Sequence, residues 1–142
     1  MAYTAKLLIG DVTCVKPSQT AAEAAQIMQK KGIGSVIVGS MAKPEGIFTE
    51  RDLCYRVVGA GLDPNKTPVS AVMTKNPISV EASAPLDKVF ERLADGRFRH
   101  LPITENGQVV GIVSITDLAK VLKEVYREDR YLQYFADVVS TR

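Results

Sequence analysis

An internal duplication constrains this chain more than any other feature. A shift of 65 positions lays Thr13–Leu53 over Ile78–Leu118 without a gap, and the pattern holds although few residues are identical. Val15 meets Val80. Ala21, Ala24, Ala25 and Met28 meet Leu86, Val89, Phe90 and Leu93, both sets at the i, i+3, i+4, i+7 spacing that puts one apolar stripe on a helix. Val36-Ile37-Val38 meets Leu101-Pro102-Ile103, Gly46-Ile47-Phe48-Thr49 meets Gly111-Ile112-Val113-Ser114, and Asp52-Leu53 meets Asp117-Leu118. Each copy reads as strand, helix, strand, turn, strand, helix, which makes the fold class a mixed α/β (α+β) tandem repeat. A copy of about fifty residues cannot cover its own helix face and small sheet, so the two are expected to pack with pseudo-two-fold symmetry around two related clefts.

Local signals set the boundaries. Residues 1–60 form the first repeat, 61–70 a linker marked by Asp63-Pro64-Asn65 and Pro68, 71–125 the second repeat and 126–142 a helical extension. Thr20 with Glu23 is a capping box for the first helix, and Pro85 suits the first turn of its counterpart, where no donor is needed. Asn106-Gly107 between apolar runs predicts a hairpin pairing Leu101–Thr104 with Val109–Ser114, whereas Lys43-Pro44 marks a looser turn in the first copy. Pro102 cannot donate to a ladder, so its strand should be short or unpaired at that point. The stripe Leu118, Val121, Leu122, Val125 runs on through Arg130 toward Tyr131, Leu132, Tyr134 and Phe135. That aromatic end either folds back on its own module or enters a subunit interface.

Composition closes off several functions. Of 142 residues, 46% are hydrophobic and 24% charged, and 18 basic against 16 acidic residues leave a net charge of only +2, which speaks against a dedicated nucleic-acid or membrane-surface protein. No apolar run reaches membrane-spanning length and the N-terminus lacks a signal-peptide stretch, so a cytoplasmic protein is expected. Cys14 and Cys54 stand apart and His100 is the single histidine, too few ligands for a zinc site. There is no GxSxG, HExxH or P-loop. A small hydrolase built around His100 survives by counting alone; the expectation is no catalysis and no catalytic cofactor.

The chemistry lies in a repeated hydroxyl and carboxylate. Gly46-Ile47-Phe48-Thr49-Glu50-Arg51-Asp52 recurs as Gly111-Ile112-Val113-Ser114-Ile115-Thr116-Asp117. Ser/Thr-x-x-Asp at a helix start is a capping pattern, and a purely structural role is one reading. The other is a binding role: a carboxylate accepts from the paired hydroxyls of a ribose, while the neighbouring hydroxyl and free helix N–H groups suit phosphate or ribose oxygens. Arg97-Phe98-Arg99-His100-Leu101-Pro102 adds a cationic cluster at the start of a strand, either a solvated basic loop or a phosphate grip. Its counterpart, Gly32-Ile33-Gly34-Ser35-Val36, carries no charge, and two glycines permit close approach of a flat base or ribose. The clefts should therefore differ, with phosphate charge met mainly from the second copy.

The duplicated unit, each copy closing on Gly-apolar-apolar-Ser/Thr-x-x-Asp, resembles the CBS domain pair, or Bateman module. Thr74-Lys75-Asn76-Pro77-Ile78, Phe98-Arg99-His100-Leu101-Pro102 and Gly111-Ile112-Val113-Ser114 resemble that family's second repeat, and the likeness covers about residues 7–125. The resemblance implies a non-catalytic regulatory module binding an adenosine-containing ligand such as AMP, ADP, ATP, NAD or S-adenosylmethionine between the repeats. It implies that Asp117 holds a ribose, Ser114 and Thr116 contact ribose or phosphate, and Arg99 and His100 meet phosphates. Thr13, Ile33 and Gly34 would wall the adenine of that cleft, and Ser35, Leu101 and Pro102 are further ligand-binding candidates. The mirror cleft would use Thr49, Arg51 and Asp52 with Ile78, Phe98 and Arg99. It further implies pairing into homodimers and an unknown regulated protein as partner; the alternative from another class is a ligand-free homodimeric scaffold.

Overall fold

The computed structural model describes residues 3–129, with side chains as far as Val125. After a 3₁₀ turn at Ala5–Leu8, the first repeat runs β1 (Cys14–Val15), α1 (Ala21–Lys31), β2 (Ser35–Gly39), β3 (Pro44–Thr49) and α2 (Glu50–Asp52), which continues as a π-helical turn at Leu53–Val58. A short α3 (Val69–Val72) and β4 (Thr74–Lys75) lead to β5 (Val80–Glu81), α4 (Leu86–Ala94), β6 (His100–Glu105), β7 (Gln108–Ser114) and α5 (Ile115–Asp129). Tyr131, Leu132, Tyr134 and Phe135, and with them the choice between folding back and a subunit interface, lie outside the described residues. No helix among the described residues is long and apolar enough to cross a membrane.

The two halves build equivalent sheets. β1 pairs parallel with β2 and β2 antiparallel with β3, and likewise β5 with β6 and β6 with β7. Asn106 and Gly107 both take positive φ, 53° and 77°, in the tight turn that fixes Leu101 opposite Val113 and Thr104 opposite Val109. The first copy turns more loosely: Ser40 Oγ accepts from the Lys43 N–H at 3.0 Å and Gly39 pairs with Pro44 after a register shift. β6 is six residues long despite Pro102, because β5 flanks only Ile103 and Thr104 and leaves the proline's outer side without a ladder.

Caps form where the sequence places them, with two adjustments. Thr20 Oγ1 accepts from the Glu23 N–H at 3.1 Å, but the Glu23 carboxylate takes the Gln19 amide at 3.3 Å rather than closing the expected box. Pro85 is the N-cap residue itself, one position ahead of the first turn. Gly32 ends α1 in the left-handed conformation, φ 64°, so its lack of a side chain serves helix termination.

Each half has its own apolar core, and each borrows a segment from the other side of the chain. The first packs Val15, Ala21, Ala24, Met28, Val36, Val38, Phe48 and Val57 with Val69, Val72 and Met73; the second packs Val80, Leu86, Val89, Phe90, Leu93, Leu101, Ile103, Val113, Leu118 and Leu122 with Ala5 and Leu8. The borrowed segments are equivalent under the 65-residue shift, Leu8 corresponding to Met73 and Ile9 to Thr74. β4 adds to the edge of β3, while the Gly10 N–H donates to the Val110 carbonyl at 3.1 Å beside β7. Both contacts need a glycine: a Cβ at Gly46 would lie 2.6 Å from the Thr74 oxygen, and one at Gly111 would lie 2.5 Å from the Leu8 oxygen. A third cluster, Ile37, Ile47 and Val109 with Val12, Cys14 and Ile112 against it, joins the two sheets. Joined in this way, the halves bring the start of α2 and the start of α5 to face the opposite repeat.

Candidate functional site

Two hollows lie between the repeats. The larger, about 1150 Å³, is lined by Thr13, Ile33, Gly34 and Ser35 from the first repeat and Arg99, His100, Ser114, Thr116 and Asp117 from the second. The smaller, about 80 Å³, is lined by Thr49, Arg51 and Asp52 from the first repeat and Ile78, Phe98, Arg99 and His100 from the second. The sequence-derived residues thus gather into these two groups, with two exceptions. Leu101 is fully buried in the second core and Pro102 is buried along β6, and neither lines a hollow. Both belong to the Arg97–Pro102 run, and both are buried within β6.

Both Ser/Thr-x-x-Asp motifs close reciprocal capping boxes. Asp52 Oδ2 accepts from the Thr49 N–H at 3.0 Å and Thr49 Oγ1 from the Asp52 N–H at 3.1 Å; the corresponding bonds of Asp117 and Ser114 are also 3.0 and 3.1 Å. The remaining oxygens differ. Asp52 is 7% exposed, and its Oδ1 accepts from Thr74 Oγ1 at 3.3 Å with Arg56 Nε at 3.6 Å. Asp117 is exposed, and its Oδ1 has no partner among the described residues. The second carboxylate is therefore held by one oxygen and offers the other to the large hollow.

The cations divide in the same way. Arg51 reaches across the repeats to the Arg97 carbonyl at 3.4 Å and lies 5.3 Å from the Tyr55 ring centre, which occupies it in the small hollow. Arg97 pairs with Asp95 at 3.6 Å. Arg99 is exposed and makes no ion pair among the described residues. His100 stands between the hollows: a Cβ on Gly34 would lie 2.9 Å from its Nε2 and 3.1 Å from the Glu50 carboxylate. The close approach read from the sequence at Gly34 is thus made by His100 and Glu50. Its buried Nδ1 has no hydrogen-bond partner among the described residues. Burial pushes the imidazole below its ordinary 6.5, opposed by Glu50, Asp117 and Asp52 and reinforced by Arg99.

Sequence reasoning missed Glu50, Lys31 and Lys120, all of which line the large hollow. Lys120 lies three residues after Asp117, a spacing that shares one helix face. Lys31 ends α1 next to Gly32, and its Nζ donates to Thr13 Oγ1 at 3.3 Å. Glu50 follows Thr49 inside the quoted motif, but only the fold turns it toward the second repeat. Among the described residues no group of His, Cys, Asp and Glu could hold a metal ion.

Fold and hollows together define a pseudo-two-fold tandem module with a ligand-sized cleft between its repeats. The CBS domain model matches residues 6–59 and again 69–124, and the chain belongs to the CBS domain family. CBS domain pairs are generally regulatory and ligand-binding. A CBS domain-containing protein of Arabidopsis thaliana, CBSCBSPB2, is 35% identical over 112 residues, which are 78% of this chain but 21% of the plant protein. The CBS domain-containing protein YhcV of Bacillus subtilis is 35% identical over 108 residues, 76% of either chain. The crystal structure of a CBS-domain containing protein from Agrobacterium tumefaciens, 40% identical, superposes with a TM-score of 0.70 over 78% of this chain and 88% of that one.

Proposed function

We propose that the chain is a non-catalytic sensor module that holds one adenosine-containing nucleotide, of the AMP, ADP, ATP, NAD or S-adenosylmethionine group, in the large cleft. Its occupancy is passed to a regulated partner protein in the cytoplasm, and the module acts as a homodimer. One observation carries the reading: Asp117 is fixed by its capping box, and among the described residues its Oδ1 has no partner and Arg99 no ion pair, both lining a cleft of about 1150 Å³. That volume exceeds the roughly 300–1,000 Å³ of pockets that enclose most small ligands. Asp117 accepts from the ribose hydroxyls, Ser114 and Thr116 meet ribose or phosphate oxygens, and Arg99 and His100 face the phosphates. Thr13, Ile33, Gly34 and Ser35 flank the base. The small cleft, at about 80 Å³ and with Asp52 saturated, holds no nucleoside in this arrangement. The signal is the difference in ligand affinity between two arrangements of the module, and it cannot exceed that difference.

A ligand-free scaffold is the second reading, favoured by the capping boxes that both motifs form. Thermal unfolding with millimolar AMP, ADP, ATP, NAD and S-adenosylmethionine separates the two. A ligand at a hundred times its Kd adds about 2.7 kcal/mol of stability, so at least one of these is expected to raise Tm by several degrees. No shift with any of them leaves the scaffold standing. Incubation with ATP is expected to yield no hydrolysis, and turnover that disappears in His100→Ala would restore the hydrolase reading.

A further inference from the structure

His100 walls both clefts, as Arg99 does, and it brings a titratable ring to them. Its Nδ1 is buried without a partner among the described residues, and its Nε2 approaches Gly34 at the spot that the Glu50 carboxylate also approaches. The ring is flanked by Glu50 and Asp52 from α2, Asp117 from α5 and Arg99 from its own strand, with Lys31, Lys120 and Asp11 further along the large cleft and Arg51 and Arg97 along the small one. Three of the four nearest charges are negative, and only burial opposes them strongly. A phosphate in the large cleft adds negative charge on a wall that His100 shares and engages Arg99, the single nearby cation that disfavours a charged imidazole. We propose that His100 takes up a proton from solvent when an anionic nucleotide fills the large cleft, so that the cleft grips such a ligand more tightly as pH falls through the mildly acidic range. This rests on the nucleotide reading above and adds to it a linkage between ligand and proton.

The sign follows from which state binds the proton better. In the free protein burial holds His100 below 6.5, and the added anion raises it in the complex. Affinity is flat at pH above both values, rises as pH falls through the value of the complex, and levels off below the value of the free protein. The imidazole gains its second N–H bond, and the proton comes from water.

Because His100 is the only histidine, its imidazole C–H resonance in the intact chain is identified without mutagenesis. Titrating that resonance by NMR from pH 5 to 8, with and without saturating AMP, is the test. The expected result is a midpoint below 6.5 in the free protein that moves up by at least half a unit in the complex. Equal midpoints with AMP demonstrably bound overturn the proton linkage and leave the nucleotide reading intact. No perturbation of any resonance by millimolar AMP, ADP, ATP or NAD overturns both. Glu50→Gln removes the carboxylate that raises the ring's value most, and it is expected to lower the midpoint of the free protein further.

Discussion

The two clefts start from one motif and end as different objects. Asp52 and Asp117 close capping boxes of the same geometry, but Oδ1 of Asp52 is taken by Thr74 and approached by Arg56, whereas Oδ1 of Asp117 has no partner among the described residues. The 65-residue shift explains this: the counterparts of Thr74 and Arg56 are Ile9 and Val121, which offer no donor. The same shift explains the volumes. Arg97, Phe98 and Arg99 crowd the small cleft, and their counterparts Gly32, Ile33 and Gly34 leave the large one open. A repeated motif therefore becomes a repeated site only when the side chains opposite it repeat as well. Here one carboxylate braces the junction between β4 and α2, and the other keeps one oxygen without a partner among the described residues.

Four results would break or sharpen this contrast. The largest effect is expected for Asp117→Ala, which removes the ribose acceptor and should weaken nucleotide binding about 100-fold, since bonds to a charged group contribute roughly 1.5–3 kcal/mol. Asp52→Ala should do the reverse, lowering stability by about 2–3 kcal/mol in urea unfolding because its loss strands Thr74 and the Thr49 N–H, while nucleotide affinity stays within about twofold. If the two variants exchanged phenotypes, the assignment of structural and binding carboxylates would be inverted. Gly46→Ala and Gly111→Ala probe the parts of the halves that remain alike, and each should cost about 1–3 kcal/mol by pushing a borrowed segment off its sheet. A large cost at one and none at the other would show that the exchange is not symmetric.

The smallest effect concerns pH and stability without ligand. Folding depresses the His100 value, so the folded chain binds fewer protons than the unfolded chain, and stability contributed by the neutral ring is lost as pH falls below about 6.5. The urea midpoint should drop between pH 7.5 and 5.5, and His100→Gln should flatten that drop.

Much of this architecture was legible before any coordinate. The helical stripes and the Asn106-Gly107 hairpin followed from periodicity and turn chemistry, because each depends on near neighbours in the chain, whereas the grouping of residues into two clefts was what the resemblance to the CBS domain pair implied. The borrowed segments were not legible. Ala5–Leu8 carries no periodic signal, and Met73–Lys75 looked like the opening of the second repeat; only packing shows that Ala5–Leu8 completes the second core and that Met73–Lys75 adds to the first core and sheet. Leu101 and Pro102 line neither hollow, and a run of motif residues does not state which of them are buried. The free oxygen on Asp117 was beyond sequence reasoning as well, since it depends on what Ile9 and Val121 fail to supply across the fold.

Isothermal titration of AMP, ADP, ATP and NAD into the intact chain, alongside Asp117→Ala and Asp52→Ala, tests the central claim most directly. The account predicts saturable binding of at least one of them at one site per chain, weakened about 100-fold in Asp117→Ala and kept within about twofold in Asp52→Ala. Two equal sites per chain, or binding lost at Asp52 and unaffected at Asp117, would contradict it.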